Sequence, residues 1–169
     1  MNQIHAWLDA LESPMPLSLY NADETTSLRL ATSLRSAIDQ SKTLQGGPIE
    51  ALLYIRIGRM EPAHRNVQEA TRGLGAYIHG VLHRMEGDYW NAKYWFRRVS
   101  DAGLMQRICK RMQSLAIAQG LTKLDWASPA DFVDACEALA KNSAKQTELV
   151  RQATWEWQAL WQIANEDCQ

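Results

Sequence analysis

Residues 44–72 and 73–101 align with each other at an offset of 29 positions. In that register Gly58 falls on Gly87, Ala63 on Ala92, Val67 on Phe96 and Ala70 on Val99. Earlier in each unit, Ala51 falls on Gly80 and Tyr54 on His83. A glycine between two stretches of apolar residues spaced three and four apart marks two helices joined by a tight turn. Small residues at Ala51, Gly80, Ala63 and Ala92 let paired helices approach, and Val67, Phe96 and Val99 fill the seam. A repeated helix–turn–helix unit buries a continuous face only by stacking on its neighbour. The spacing therefore predicts two stacked hairpins over about 44–101.

The rest of the chain carries the same period. Helices are expected at about 2–12, 23–43, 48–57, 61–72, 74–86, 89–100, 102–119, 129–141 and 144–165. Gly46-Gly47-Pro48 breaks the second from the third, with Pro48 suited to a first turn. Ser128-Pro129-Ala130-Asp131 offers a serine cap, a proline at the first helical position and an early acid. No alternating strand pattern and no low-complexity linker interrupt the series. The expectation is an all-α, compact bundle of about eight helices forming one domain over residues 1–169.

At 169 residues and 46% hydrophobic content the chain is long enough to bury a substantial core. A net charge of −1 and the lack of any standard recognition motif argue against nucleic acid. No apolar run approaches bilayer length, and Met1-Asn2-Gln3-Ile4-His5-Ala6-Trp7 has no signal-peptide pattern, so no membrane association is expected. Cys109, Cys136 and Cys168 are odd in number and widely spaced, reading as free thiols in a reducing cytoplasm.

Gly80, Gly87-Asp88-Tyr89, Ala92, Phe96 and Val99 fall where the tetratricopeptide repeat places its small, turn and aromatic signals, and the two units resemble that family. The offset is shorter than the family's period, and its first-helix tryptophan and closing proline are missing. The resemblance implies helical hairpins that present a face to a partner. A second resemblance lies in His83-Arg84-Met85-Glu86-Gly87-Asp88-Tyr89-Trp90-Asn91-Ala92-Lys93-Tyr94-Trp95-Phe96-Arg97-Arg98. That run is similar to the His-Arg-x-Glu-Gly-Asp-Tyr signature of an uncharacterised family of small bacterial and fungal proteins. It implies a compact helical fold and supplies no chemistry.

Two constellations carry chemical potential. On the helix at about 74–86, His79, His83 and Glu86 lie at i, i+4 and i+7 and share one face. Stacked hairpins would bring His64 beside them, with Glu86 or Glu137 completing a site. Neutral imidazoles are good ligands for transition metals, and an i, i+4 pair spans one ion. The run His79-Gly80-Val81-Leu82-His83 carries no glutamate between its histidines, so it is not a zinc-protease motif. The alternative is a plain polar network among His64, His79 and His83.

The second constellation is the polar side of the next helix, where Asn91, Tyr94 and Arg98 stand at i, i+3 and i+7 with Trp90 and Arg97 nearby. Trp95 is assigned to the opposite, core side with Ala92, Phe96 and Val99. His83, Arg84, Lys93, Arg97 and Arg98 form a cationic concentration, continued by Arg107, Lys110 and Arg111 on the following helix. Arginine beside aromatic rings can stack and bind carboxylate or phosphate. The alternative pairs those cations with Glu86, Asp88 and Asp101.

The favoured expectation is a helical binding module that presents this cationic, aromatic cleft to a partner peptide or a small anionic ligand. The competing one is a metal-binding protein or metal-dependent enzyme using His64, His79 and His83. Leu149, Trp155, Trp157, Leu160, Trp161 and Ile163 make the terminal helix a packing strut, or a homodimer surface if its tryptophans are exposed.

Overall fold

The computed structural model describes residues 32, 34–121, 128–139 and 146–167. The helices expected at 2–12 and over the first part of 23–43 fall outside them. Among the described residues there is no strand. After helical residues 34–39 and a 3-10 turn at Lys42–Leu44 come α1 (Gly47–Arg56), α2 (Met60–Val67), α3 (Gly73–Met85) and α4 (Tyr89–Arg98). They are followed by α5 (Ala102–Ala118), α6 (Pro129–Leu139) and α7 (Gln146–Glu166). Among the described residues no helix is long and apolar enough to cross a membrane.

Each pair, α1 with α2 and α3 with α4, folds back on itself, and α3 packs against both α1 and α2. The turns between partners use Gly58 and Gly87 at φ of 72° and 81°, a region open to glycine because it has no side chain to clash. The aligned positions meet in the seams: Ala51, Ala63, Val67, Ala92 and Val99 are buried, and Gly80 sits under the Phe96 ring. A methyl group at Gly80 would lie 2.9 Å from Phe96 Cε1. Glycine is thus what lets α4 close on α3.

The expected helix at 61–72 ends earlier, at Val67. The backbone turns there, with Ala70 N–H donating to the Val67 carbonyl at 2.9 Å, and the chain then passes so close to α3 that a side chain on Gly75 would overlap Ala70 Cβ. Elsewhere acidic and hydroxyl side chains cap the helices α4, α5 and α6, where only the Ser128 cap was expected. The Asp88 carboxylate accepts from Asn91 N–H at 3.2 Å and that of Asp101 from Leu104 N–H at 2.9 Å. Ser128 and Asp131 exchange reciprocal bonds at the start of α6.

The terminal helix is the strut that ties these layers together. It packs on α1, α5 and α6. Trp155, Trp157 and Trp161 are buried, and the Trp157 indole N–H donates to the Leu52 carbonyl at 2.8 Å. Its tryptophans are spent on the chain's own core and form no exposed face; among the described residues the strongly exposed indole is that of Trp90.

Within that core lies a polar triad. Arg84, 3% exposed, donates through Nη1 to Glu156 Oε1 at 3.1 Å and through Nη2 to Glu156 Oε2. Glu156, 1% exposed, also accepts from the Tyr77 hydroxyl at 2.9 Å. The Arg84 guanidinium lies over the Phe132 ring at 4.2 Å. Burial disfavours its charge, but Glu156 outweighs that and raises its pKa. Arg84 therefore does not belong to the surface cation cluster expected from sequence.

Candidate functional site

The three histidines come together. His79 and His83, one turn apart on α3, stack with ring centroids 4.8 Å apart and planes 14° from parallel. His64, from the middle of α2, meets both edge-on at 5.1 Å. One nitrogen from each of the three rings can be chosen so that all lie within 4.8 Å of one another. The arrangement follows from the stacked hairpins: the i, i+4 spacing sets two imidazoles on one helical face, and packing of α2 on α3 delivers the third.

Glu86 closes the mouth of this cluster. Its Oε1 lies 3.0 Å from His64 Nε2 and its Oε2 lies 3.5 Å from His83 Nδ1. Glu137, the other acid expected to complete a site, lies on α6 and faces Lys93 at 3.9 Å instead. Asp88 Oδ2 lies 3.9 Å from His83 Nδ1. Asn91 also turns inward, with its Nδ2 3.4 and 3.3 Å from the two ring nitrogens of His83. It is therefore part of the histidine cluster and not of the outer α4 face where its spacing had placed it.

Trp95 covers the inner end. It is half-buried and stacks on His79 with centroids 3.9 Å apart and planes at 20°. It packs against the core, as periodicity assigned it, and is also a wall of the cluster. His79 is 7% exposed, and its Nδ1 makes no hydrogen bond. Burial, then the neighbouring His83 and His64, lower its pKa from 6.5 to about 4. Burial and His64 lower that of His83 too, against the pull of Glu86 and Asp88. Both rings are thus held in the neutral form, the form that offers a lone pair to a metal.

The cationic concentration is largely dismantled. Arg84 is internal, Lys93 bonds Asp134, and Arg107 and Arg111 bond acids at the end of α7. The acids expected to neutralise the α4 arginines are engaged elsewhere: Glu86 with histidines, Asp88 and Asp101 as helix caps. Arg97 and Arg98 are exposed, and neither forms an ion pair among the described residues.

Sequence reasoning missed two participants. Glu156 announces itself only as a lone acid between Trp155 and Trp157, an unusual place for a surface charge. Trp95 was legible as a core residue but not as a partner of His79, because a position at the edge of the core stripe serves equally as core or as wall. No family model, curated protein or solved structure matches this chain.

Proposed function

We propose that this chain is a transition-metal-binding protein whose centre is His64, His79 and His83, with Glu86 as fourth donor, carried on two tetratricopeptide-like hairpins. The observation that supports it is the convergence of three imidazole nitrogens within 4.8 Å, drawn from two hairpins. A purely structural polar network would satisfy its buried members, because an unpaired buried nitrogen costs about 1–3 kcal/mol. His79 Nδ1 has no such partner.

The dimensions suit a small ion. Metal–nitrogen bonds of about 2.0–2.1 Å in a tetrahedron set donors roughly 3.3 Å apart. The 3.0 Å separation of His64 Nε2 and Glu86 Oε1 already lies near that edge. The nitrogens, within 4.8 Å of one another, would have to draw closer by up to about 1.5 Å on binding. Three imidazoles and one carboxyl group favour zinc, cobalt, nickel, copper or ferrous iron over magnesium or calcium, which prefer all-oxygen shells. Free thiols at Cys109 and Cys136 fit a reducing compartment such as the cytoplasm.

The test is metal analysis of protein purified without a histidine tag, with titration of the stripped protein by zinc and cobalt. One equivalent per chain is expected, with the visible bands of tetrahedral cobalt. His79→Ala and His83→Ala should each lose the bound ion while Arg98→Ala keeps it. Absence of stoichiometric metal, with the histidine variants indistinguishable from the parent, overturns the proposal.

A further inference from the structure

Trp90, Tyr94 and Arg98 stand at i, i+4 and i+8 along α4, beside the histidine cluster but turned outward. Trp90 is 74% exposed, an unusual position for the largest apolar side chain. Its ring runs parallel to that of Tyr94 within 10°, with centroids 6.1 Å apart. Arg98 continues the line. Its Nη1 donates to the Tyr94 hydroxyl at 3.2 Å, and its guanidinium carbon lies 5.5 Å from the Tyr94 ring and 5.8 Å from the Trp95 ring.

These contacts hold the guanidinium in place without spending its charge. Its Nε and Nη2 make no hydrogen bond among the described residues, and the nearby acids are committed to histidines, helix caps or Lys93. A guanidinium fixed before binding loses less rotamer freedom when it binds, and its free edge matches the two oxygens of a carboxylate. The Trp90 ring, stacked on Tyr94 and largely exposed, offers an apolar face to a planar group.

We infer that the Trp90–Tyr94–Arg98 stripe binds a small aromatic carboxylate, its carboxylate on Arg98, which Tyr94 holds, and its ring against the exposed Trp90. Among the described residues Arg98 is the α4 cation held against an aromatic ring, and one held guanidinium fits one carboxylate. An acidic peptide needs cations held along its length; Lys93, Arg107 and Arg111 are paired with acids, and Arg97, though exposed, is held by no ring or acid among the described residues. The inference is independent of the metal, and metal-stripped protein serves as well as loaded protein for its test.

The probe is naphthalene-2-carboxylate, followed by calorimetry and by the Trp90 indole N–H signal in NMR. Saturable one-site binding is expected, weakened about tenfold or more by Arg98→Lys, which loses the planar fork, and by Trp90→Ala. Inorganic phosphate and the uncharged 2-naphthamide should bind at least about tenfold more weakly, since each lacks one half of the ligand. Both substitutions are at exposed positions; should either lower the melting temperature, Tyr94→Phe, which releases the arginine, must still weaken the probe. Equal binding of phosphate, preference for an oligoglutamate peptide, no saturable binding, or affinity unchanged in the variants each overturns the inference. Zinc stoichiometry should be the same in Arg98→Lys as in the parent, so failure here and failure of the metal centre are read separately.

Discussion

The indole of Trp95 lies face to face with the imidazole of His79, centroids 3.9 Å apart, and this contact joins α4 to the histidines of α3. It accounts for part of the desolvation that keeps His79 neutral. Replacing Trp95 with leucine should admit water to one face of that ring and raise the His79 pKa from about 4 toward 6.5. The ring's titration in metal-free protein, followed by NMR, measures the shift. An unchanged value would mean that desolvation comes from elsewhere.

The same depressed values predict acid sensitivity. The unfolded chain protonates its histidines near pH 6.5, whereas folded His79 resists protonation until about 4. Below 6.5 the unfolded state therefore binds more protons, and stability falls as pH drops. In metal-free protein the contribution of His79 should be fully present above about pH 6.5 and be lost progressively down to about pH 4, where the loss from this group is complete. Urea titrations across that range give the slope, which should be shallower for His79→Gln.

Removing one member of the buried triad leaves a charge without compensation. Arg84→Met should cost about 3–5 kcal/mol, since the Glu156 carboxylate then sits unpaired in the core. Adding Glu156→Met and Tyr77→Phe removes all three polar groups and should restore at least half of that loss. Denaturant midpoints for the single and triple variants decide the matter. A single variant within about 1 kcal/mol of the parent would contradict the buried ion pair.

Gly80 is required by the Phe96 ring above it. Alanine gains about 1 kcal/mol of helix propensity there but overpacks the seam by about 1–3 kcal/mol. Gly80→Ala should therefore destabilise the parent and become neutral or stabilising in a Phe96→Leu background. Thermal melts of the four combinations test the coupling.

Much of the fold was legible in the residues. The position of each turn in the two hairpins followed from Gly58 and Gly87, and the cap at Ser128 fell where its type prefers to lie, whereas Asp88 and Asp101, read as partners of the arginines, proved to be caps. The premature end of α2 was not legible. It depends on how closely the chain after Val67 approaches Gly75, a contact between elements that propensity does not describe.

The candidate site divides in the same way. The pairing of His79 with His83 is a property of helical geometry, and the repeat aligned the helix of His64 beside theirs. Which acid would join them was undecided between Glu86 and Glu137, and packing of α6 against α4 sent Glu137 to Lys93. Arg84 read as a surface cation because its partner lies 72 residues away.

By itself the sequence determined what each helix could present on each face, because that depends only on the 3.6-residue period and on the turn residues. The tertiary structure decided which faces meet. That placed Trp95 on His79, took Arg84 into the core and left Arg98 without an acid among the described residues. The reason is that charge pairing, burial and stacking are set by neighbours in space, and here those neighbours come from other helices or from the acids that other helices have already claimed.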